Sequence, residues 1–232
     1  MTEIRKGAVK GTPYTWGPFL WRSTVPEEIV ENLEKRAETV RGVQNYNATA
    51  GLAGLMLDEW YYTPEDTRWF QDAINPWMQT YILESSFFLG SNKLTDLPPW
   101  TLQRLWINYM HQHEFNPIHG HSGDVSFILF IQAPPEIEKE GEQPWNLANS
   151  QPGTTVFLYN YRYTSARTHY SFYPNRGDIY IFPASLSHMV IPFHSPVERI
   201  SVSGNIKYAS PIVPQMKGMI GNMLNMWKKE NK

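Results

Sequence analysis

The chain contains no cysteine, which excludes disulfide stapling, thiolate metal sites and cysteine nucleophiles together. It has no apolar run near the roughly 18 residues that a helical membrane span needs, and the opening MTEIRKGAVKGTPYTW lacks the apolar core of a signal peptide. It has no excess of charge either: 20 Lys and Arg stand against 22 Asp and Glu, for a formal charge of −2. That balance gives no electrostatic case for a nucleic-acid or anionic-membrane partner. A soluble, cytoplasmic protein is therefore expected. Internal repeats and low-complexity tracts are missing as well. Aromatic residues and turn formers are plentiful, with 9 Trp, 13 Tyr and 18 Pro in 232 residues, a texture that leans away from a helical bundle. At this length a single domain over 1–232 is the default.

The texture changes near residue 101. Before it lie the helical signals. Pro26 opens PEEIVENLEKRAETVRG, with acids early, basic residues late and Gly42 as a stop. Ile29, Leu33 and Ala37 form its apolar stripe. A second helical run starts at Pro64 and is kinked or divided at Pro76. ATAGLAGLMLDEWY, between them, is small and apolar enough to pack against a sheet. Residues 101–208 instead carry six short β-type runs: LQRLWINYM, DVSFILFIQ, TTVFLYNYRY, HYSFYP, DIYIFP and RISVSGNIKY. They predict a mainly β fold with flanking helices, its core a jelly roll. PPEIEKEGEQPW reads as a charged surface loop. The tail, 209–232, reads as a helix with Met216, Met219, Met223 and Met226 on one face, suited to a homodimer contact.

Four of the seven histidines fall within residues 111–121. In an extended segment, positions i and i+2 share a face, so His119 and His121 can direct two imidazoles at one ion, with Gly120 leaving room between them. His111 and His113 have the same spacing but less strand behind them. His188 follows the strand that ends at Phe182-Pro183. Eleven residues later Arg199 and Ser201 share one face of a strand. A guanidinium and a hydroxyl so placed make a clamp for a carboxylate, one giving a charge-assisted fork and the other a directional donor.

The order His-x-His, His, Arg-x-Ser on a β-rich chain resembles the iron(II)/2-oxoglutarate-dependent oxygenases. Within them it looks most like those of tailed phages of marine bacteria, in which case the site of action is the host cytoplasm. The resemblance is strongest over residues 104–132 and 176–207. It implies a double-stranded β-helix core, Fe(II) and O2 as cofactors, and 2-oxoglutarate as co-substrate. His119 and His188 match metal ligands, and Arg199 and Ser201 match the pair that holds the far carboxylate of 2-oxoglutarate. Tyr109 and Asn108 lie on a strand from which this superfamily often sends a co-substrate contact. His121 stands where a carboxylate usually stands in the common facial triad. Three arrangements follow: a three-histidine site, a His119/Asp124/His188 site, or a site that has lost catalysis. Strand parity favours His121.

The implied activity is a dioxygenase that hydroxylates an unactivated C–H bond and releases succinate and CO2. The substrate would be a small molecule, an amino acid or a protein side chain. Two other classes fit a similar barrel. A cupin-type metal enzyme also uses His-x-His and a later His, but it has no reason for Arg-x-Ser beyond the distal His. A structural or interaction jelly roll would suit the aromatic content and the Met-striped tail.

Overall fold

Pro, Gly and Asn divide the second half of the chain into short strands, and the computed structural model arranges them in two facing sheets. Residues 9–15, 17–51, 54–88, 97–143, 151–159 and 168–209 are described. The strands are β1 (Gly11–Thr15), β2 (Phe19–Thr24), β3 (Glu59–Tyr61), β4 (Trp100–Met110), β5 (Asn116–His119), β6 (Val125–Gln132), β7 (Thr155–Leu158), β8 (His169–Phe172), β9 (Asp178–Pro183), β10 (His188–Val190) and β11 (Arg199–Tyr208). The major sheet runs β1-β2-β9-β6-β11-β4-β3 and the minor sheet β5-β10-β7-β8. Every ladder is antiparallel. The architecture is mainly β, with a jelly-roll core.

The helices are α1 (Glu27–Ala37), α2 (Pro64–Ala73), α3 (Asn75–Phe88) and α4 (Pro135–Glu140). Glu27 and Glu28 in the first turn of α1, and Lys35 and Arg36 in the last, complement its dipole. The buried face is Val30, Leu33 and Ala37, with Ile29 only half-buried, so the stripe is rotated slightly from the expected one. Thr63 caps α2 through a reciprocal pair: its Oγ1 accepts from the Asp66 N–H, and the Asp66 carboxylate accepts from the Thr63 N–H. The division of the second helical run falls at Ile74, which places Pro76 in the first turn of α3, where its missing N–H costs nothing.

The major sheet is covered on both faces, which is why VSFILFIQ is almost continuously apolar. Alternation sends Phe127, Leu129 and Ile131 toward α1–α3, into a core shared with Leu33, Phe70, Ile74, Met78 and Ile82. Ile128 and Phe130 point the other way, toward Phe157, Tyr180, Phe182 and Leu186. Fully burying one such side chain is worth about 1.5–3 kcal/mol, so both faces contribute to holding the barrel closed.

The N-terminal hundred residues differ from the expected helical elaboration. β1, β2 and β3 come from them, and β1 and β2 extend the major sheet past β9. The turn chemistry that separates β1 from β2 is only Gly17-Pro18, easily overlooked in a Pro-rich chain. The expected loop at PPEIEKEGEQPW contains α4, which buries Ile137 and Glu140. Glu140 accepts hydrogen bonds from the His194 and Ser195 N–H groups, and this fixes α4 to the barrel. Apart from its first residue, the expected helix over 209–232 lies outside the described residues, and so do its methionine stripe and the dimer contact assigned to it. Among the described residues, no helix is long and apolar enough to cross a membrane.

Candidate metal centre

The short strands β5 and β10 pair so that His119 and His188 are register partners. Cross-strand partners project from the same face, and both imidazoles enter the space between the sheets. The His119 Nδ1–H donates to the Pro117 carbonyl at 2.8 Å, and the His188 Nδ1–H donates to the Leu186 carbonyl at 2.9 Å. A carbonyl can only accept, so each bond fixes the tautomer and leaves Nε2 bare. His121 lies just beyond β5. Its N–H donates to the Ala184 carbonyl at 2.8 Å, tying it to the segment that leads into His188.

His121 Nε2 and His188 Nε2 are 3.1 Å apart. Ligand atoms from His119, His121 and His188 all lie within 4.8 Å of one another. Two nitrogens bonded at roughly 2.0–2.2 Å on adjacent octahedral positions stand about 3 Å apart, so the donor set fits a divalent first-row metal. Burial lowers the pKa of all three rings. That of His121 falls to about 4, with the neighbouring His119 adding to the effect, and that of His188 falls to about 3. At neutral pH the rings are therefore in the unprotonated form that can ligate a metal.

Asp124 takes no part in this cluster. Its carboxylate accepts from Lys207 Nζ at 2.9 Å and from the Tyr208 N–H at 2.8 Å. The turn that carries it away needs Gly123, whose φ is +106° and where a Cβ would stand 2.7 Å from the Ile206 carbonyl oxygen. Of the three arrangements open at the sequence level, the coordinates bring together the three histidines.

Arg199 and Ser201 line the same cleft as the three histidines, together with Thr155, Val190 and Ile128. Arg199 is buried, its guanidinium 4.9 Å from the Phe130 ring centroid, and its Nη2 donates to Thr155 Oγ1 at 2.9 Å. Its Nε has no hydrogen-bond partner among the described residues. No carboxylate pairs with it there, and burial lowers its pKa to about 10. A cation held this way is costly until an anion reaches it.

Tyr109 is not brought to this cleft. Its register partner is Ile200, so it lies on the helix-facing side of β4, where the Arg41 guanidinium sits 3.6 Å from its ring centroid. Asn108, one residue earlier, faces the other way and donates to the Ser201 carbonyl and Oγ at 3.3 and 3.4 Å. His111 lies apart, 3.7 Å from both Asp58 and Glu198, which already pair with Arg41.

Thr155, Asn116 and Glu59 also reach this region and were not singled out from the sequence. Thr155 could have been found from its place opening TTVFLY, on the strand that pairs with the one bearing His188. Nothing in DEWY marks Glu59.

Residues 104–205, somewhat less than half of the chain, match the model of the family described as "Putative 2OG-Fe(II) oxygenase". No curated protein matches the sequence. Among solved structures, the fold is similar to SnoK, a non-haem alpha-ketoglutarate-dependent carbocyclase from nogalamycin biosynthesis: 11% identity over 82% of this chain and 79% of that one, TM-score 0.51. Iron-bound HygX from Streptomyces hygroscopicus gives 9% identity over 84% and 83%, TM-score 0.50. A prolyl-4-hydroxylase from Pseudomonas putida gives 14% identity over 84% and 95%, TM-score 0.49. At these identities the likeness to SnoK and HygX is one of fold.

Proposed function

We propose that this protein is a non-haem Fe(II)- and 2-oxoglutarate-dependent dioxygenase that inserts one oxygen atom of O2 into a C–H bond and releases succinate and CO2. His119, His121 and His188 hold the iron. Arg199 and Ser201 anchor the far carboxylate of 2-oxoglutarate, with Thr155 orienting the guanidinium. The resemblance to marine-phage oxygenases is carried by the sequence alone, and we extend the reading to an enzyme of that kind acting in the cytoplasm.

One observation carries the reading: a buried guanidinium with no carboxylate partner among the described residues lines the same cleft as three converging, neutral imidazoles. Bound iron supplies the O2 activation that couples decarboxylation of 2-oxoglutarate to oxidation of the substrate. The chain supplies the rest. The two carbonyl-fixed tautomers present lone pairs without rearrangement. Arg199 offers charge-assisted donors where water is largely excluded, so a dianion bound there recovers its desolvation cost. Phe130, Ile128 and Val190 keep the surroundings apolar and limit solvent access.

The test is anaerobic addition of Fe(II) and 2-oxoglutarate. The visible charge-transfer band of the chelate should develop, and succinate should form once air and a substrate are admitted. A cupin-type enzyme or a structural jelly roll should give no band, and that outcome overturns the reading.

A further inference from the structure

Beside the inner cleft, and sharing Trp106, Asn116, His119 and His121 with it, a second cavity of about 250 Å³ opens toward solvent. Arg199, Ser201 and His188 belong only to the inner cleft, while Glu59 and Arg104 belong only to the outer cavity. The proposed function places 2-oxoglutarate against Arg199, which leaves the outer cavity to the substrate.

Glu59 is 2% exposed. It is the β3 partner of Asn108, which is in turn the β4 partner of Ser201, so Glu59, Asn108 and Ser201 form one row across three strands of the site-facing surface. Glu59 Oε1 is buried and has no hydrogen-bond partner among the described residues, and the same holds for Asn116 Oδ1. The neighbouring buried carboxylate, Glu114, is served by the Leu57 and His111 N–H groups. Glu59 has no such service, although a buried acceptor left unmade costs about 1–3 kcal/mol. Two unmet acceptors on one cavity call for a group with several donors.

We propose that Glu59, assisted by Asn116, anchors a positively charged nitrogen of the substrate, so that the enzyme acts on an amine-bearing molecule or side chain. This rests on the oxygenase reading for the chemistry beside it. An ammonium brings three donors and no acceptor, which suits two unmet acceptor oxygens, whereas a hydroxyl of the same size brings one donor. Trp106 gives the cavity an aromatic wall, a surface that cations favour. Arg104 is exposed, so solvent screens its charge from a cation held at Glu59. Burial and the Glu114 charge make the Glu59 carboxylate unfavourable by itself, and a cationic partner reverses that cost. The volume suits a side chain or a small metabolite rather than a polycyclic ligand.

The experiment compares n-butylammonium with 1-butanol by saturation-transfer NMR at matched ionic strength, in the wild type and in Glu59→Gln. It is repeated with Mn(II) at the three histidines, metal uptake being read first from loss of the free-ion EPR signal. The wild type should prefer the ammonium at least tenfold, and Mn(II) should speed relaxation of the bound probe's protons. Glu59→Gln should bring the preference to within about threefold of unity while still taking up Mn(II) and 2-oxoglutarate. No preference in the wild type, a preference that survives Glu59→Gln, or a probe unaffected by Mn(II) overturns the inference. If Glu59→Gln does not fold, the wild-type preference and the Mn(II) relaxation decide it. A protein that binds Mn(II) and 2-oxoglutarate without preferring the ammonium keeps the oxygenase reading and loses this one. A protein that prefers the ammonium but binds neither loses the oxygenase reading, and the substrate assignment with it.

Discussion

His119 and His188 face each other as register partners across the β5–β10 ladder, and their Nδ1–H groups are each held by a carbonyl two residues back along their own chain segments. Two ligand positions of the proposed centre are thus fixed by main-chain bonds rather than by other side chains. His121 is held only through its main-chain N–H, which donates to the Ala184 carbonyl and fixes its backbone rather than its ring.

Substitutions on either side of the Gly123 turn should therefore separate metal binding from stability. His121→Ala should weaken Fe(II) or Mn(II) binding at least tenfold and abolish the chelate band. Asp124→Ala should leave metal affinity within about twofold but cost about 1 kcal/mol of stability, the usual worth of a hydrogen bond and a partly exposed ion pair. Isothermal titration and urea unfolding of the two variants check this, and a loss of metal by Asp124→Ala would place the carboxylate in the coordination shell.

Arg199→Met should have opposite effects on affinity and stability. The apparent constant for 2-oxoglutarate should rise at least tenfold, since a charge-assisted anchor worth more than about 1.4 kcal/mol is removed. Stability of the ligand-free protein should change little or increase, because a buried cation with no carboxylate partner among the described residues is replaced by an apolar chain of similar volume. Metal affinity should hold. Equal loss of metal and 2-oxoglutarate would make Arg199 a structural residue.

Tyr109 and Asn108 are adjacent in sequence but lie on opposite faces of β4. Tyr109→Phe should leave the 2-oxoglutarate constant unchanged. Asn108→Ala, which removes the donor to Ser201, should raise it about threefold to tenfold. Steady-state kinetics in varied 2-oxoglutarate discriminate the two, and a large effect at Tyr109 would require its ring to reach the inner cleft.

Glu59 predicts a pH dependence. Burial, then the charge of Glu114, raise its pKa from 4.5 to about 8. The other charged or titratable groups around its cavity are Arg104, His119 and His121. Between those two values the native state keeps a proton that the unfolded chain gives up. This contribution to stability is complete below pH 4.5 and lost as the pH rises through about 8. In metal-free protein, the stability gained by Glu59→Gln should therefore widen from about pH 5 to about pH 8.5, reaching a few kcal/mol. Urea midpoints at the two pH values measure it. A gap that stays constant would mean that the native carboxyl ionises in its ordinary range.

Much of the core was legible because its strands announce themselves. DIYIFP and RISVSGNIKY are bounded by turn residues and form β9 and β11 over those residues. That His119 and His121 share a face, and Arg199 and Ser201 another, was readable for a related reason: period-two spacing on a strand fixes which side chains project together, whereas His188 was singled out only through the family resemblance. What escaped were elements too short to carry a pattern. β3 and β10 have three residues each, β5 contains a proline, and β1 and β2 lie in a segment whose neighbours read as helix. Glu59 could not be found because its meaning depends on strand register with Asn108, and register is a property of the sheet. Tyr109 went the other way: the family resemblance suggested a co-substrate contact from its strand, and strand parity places its ring on the helix-facing side.

The separation of His121 from His188, 67 residues along the chain, also bears on how the protein folds. Neither the β5 segment nor the β10 segment can hold a metal alone, and loop closure over that distance must precede any reward from the contact. The ion can therefore bind only once these two segments have met across the β5–β10 ladder. A metal present during refolding should leave the folding rate nearly unchanged and act instead on the rate of unfolding, as interactions absent from the transition state do. The bound ion would then lengthen the lifetime of the native state without guiding the chain toward it.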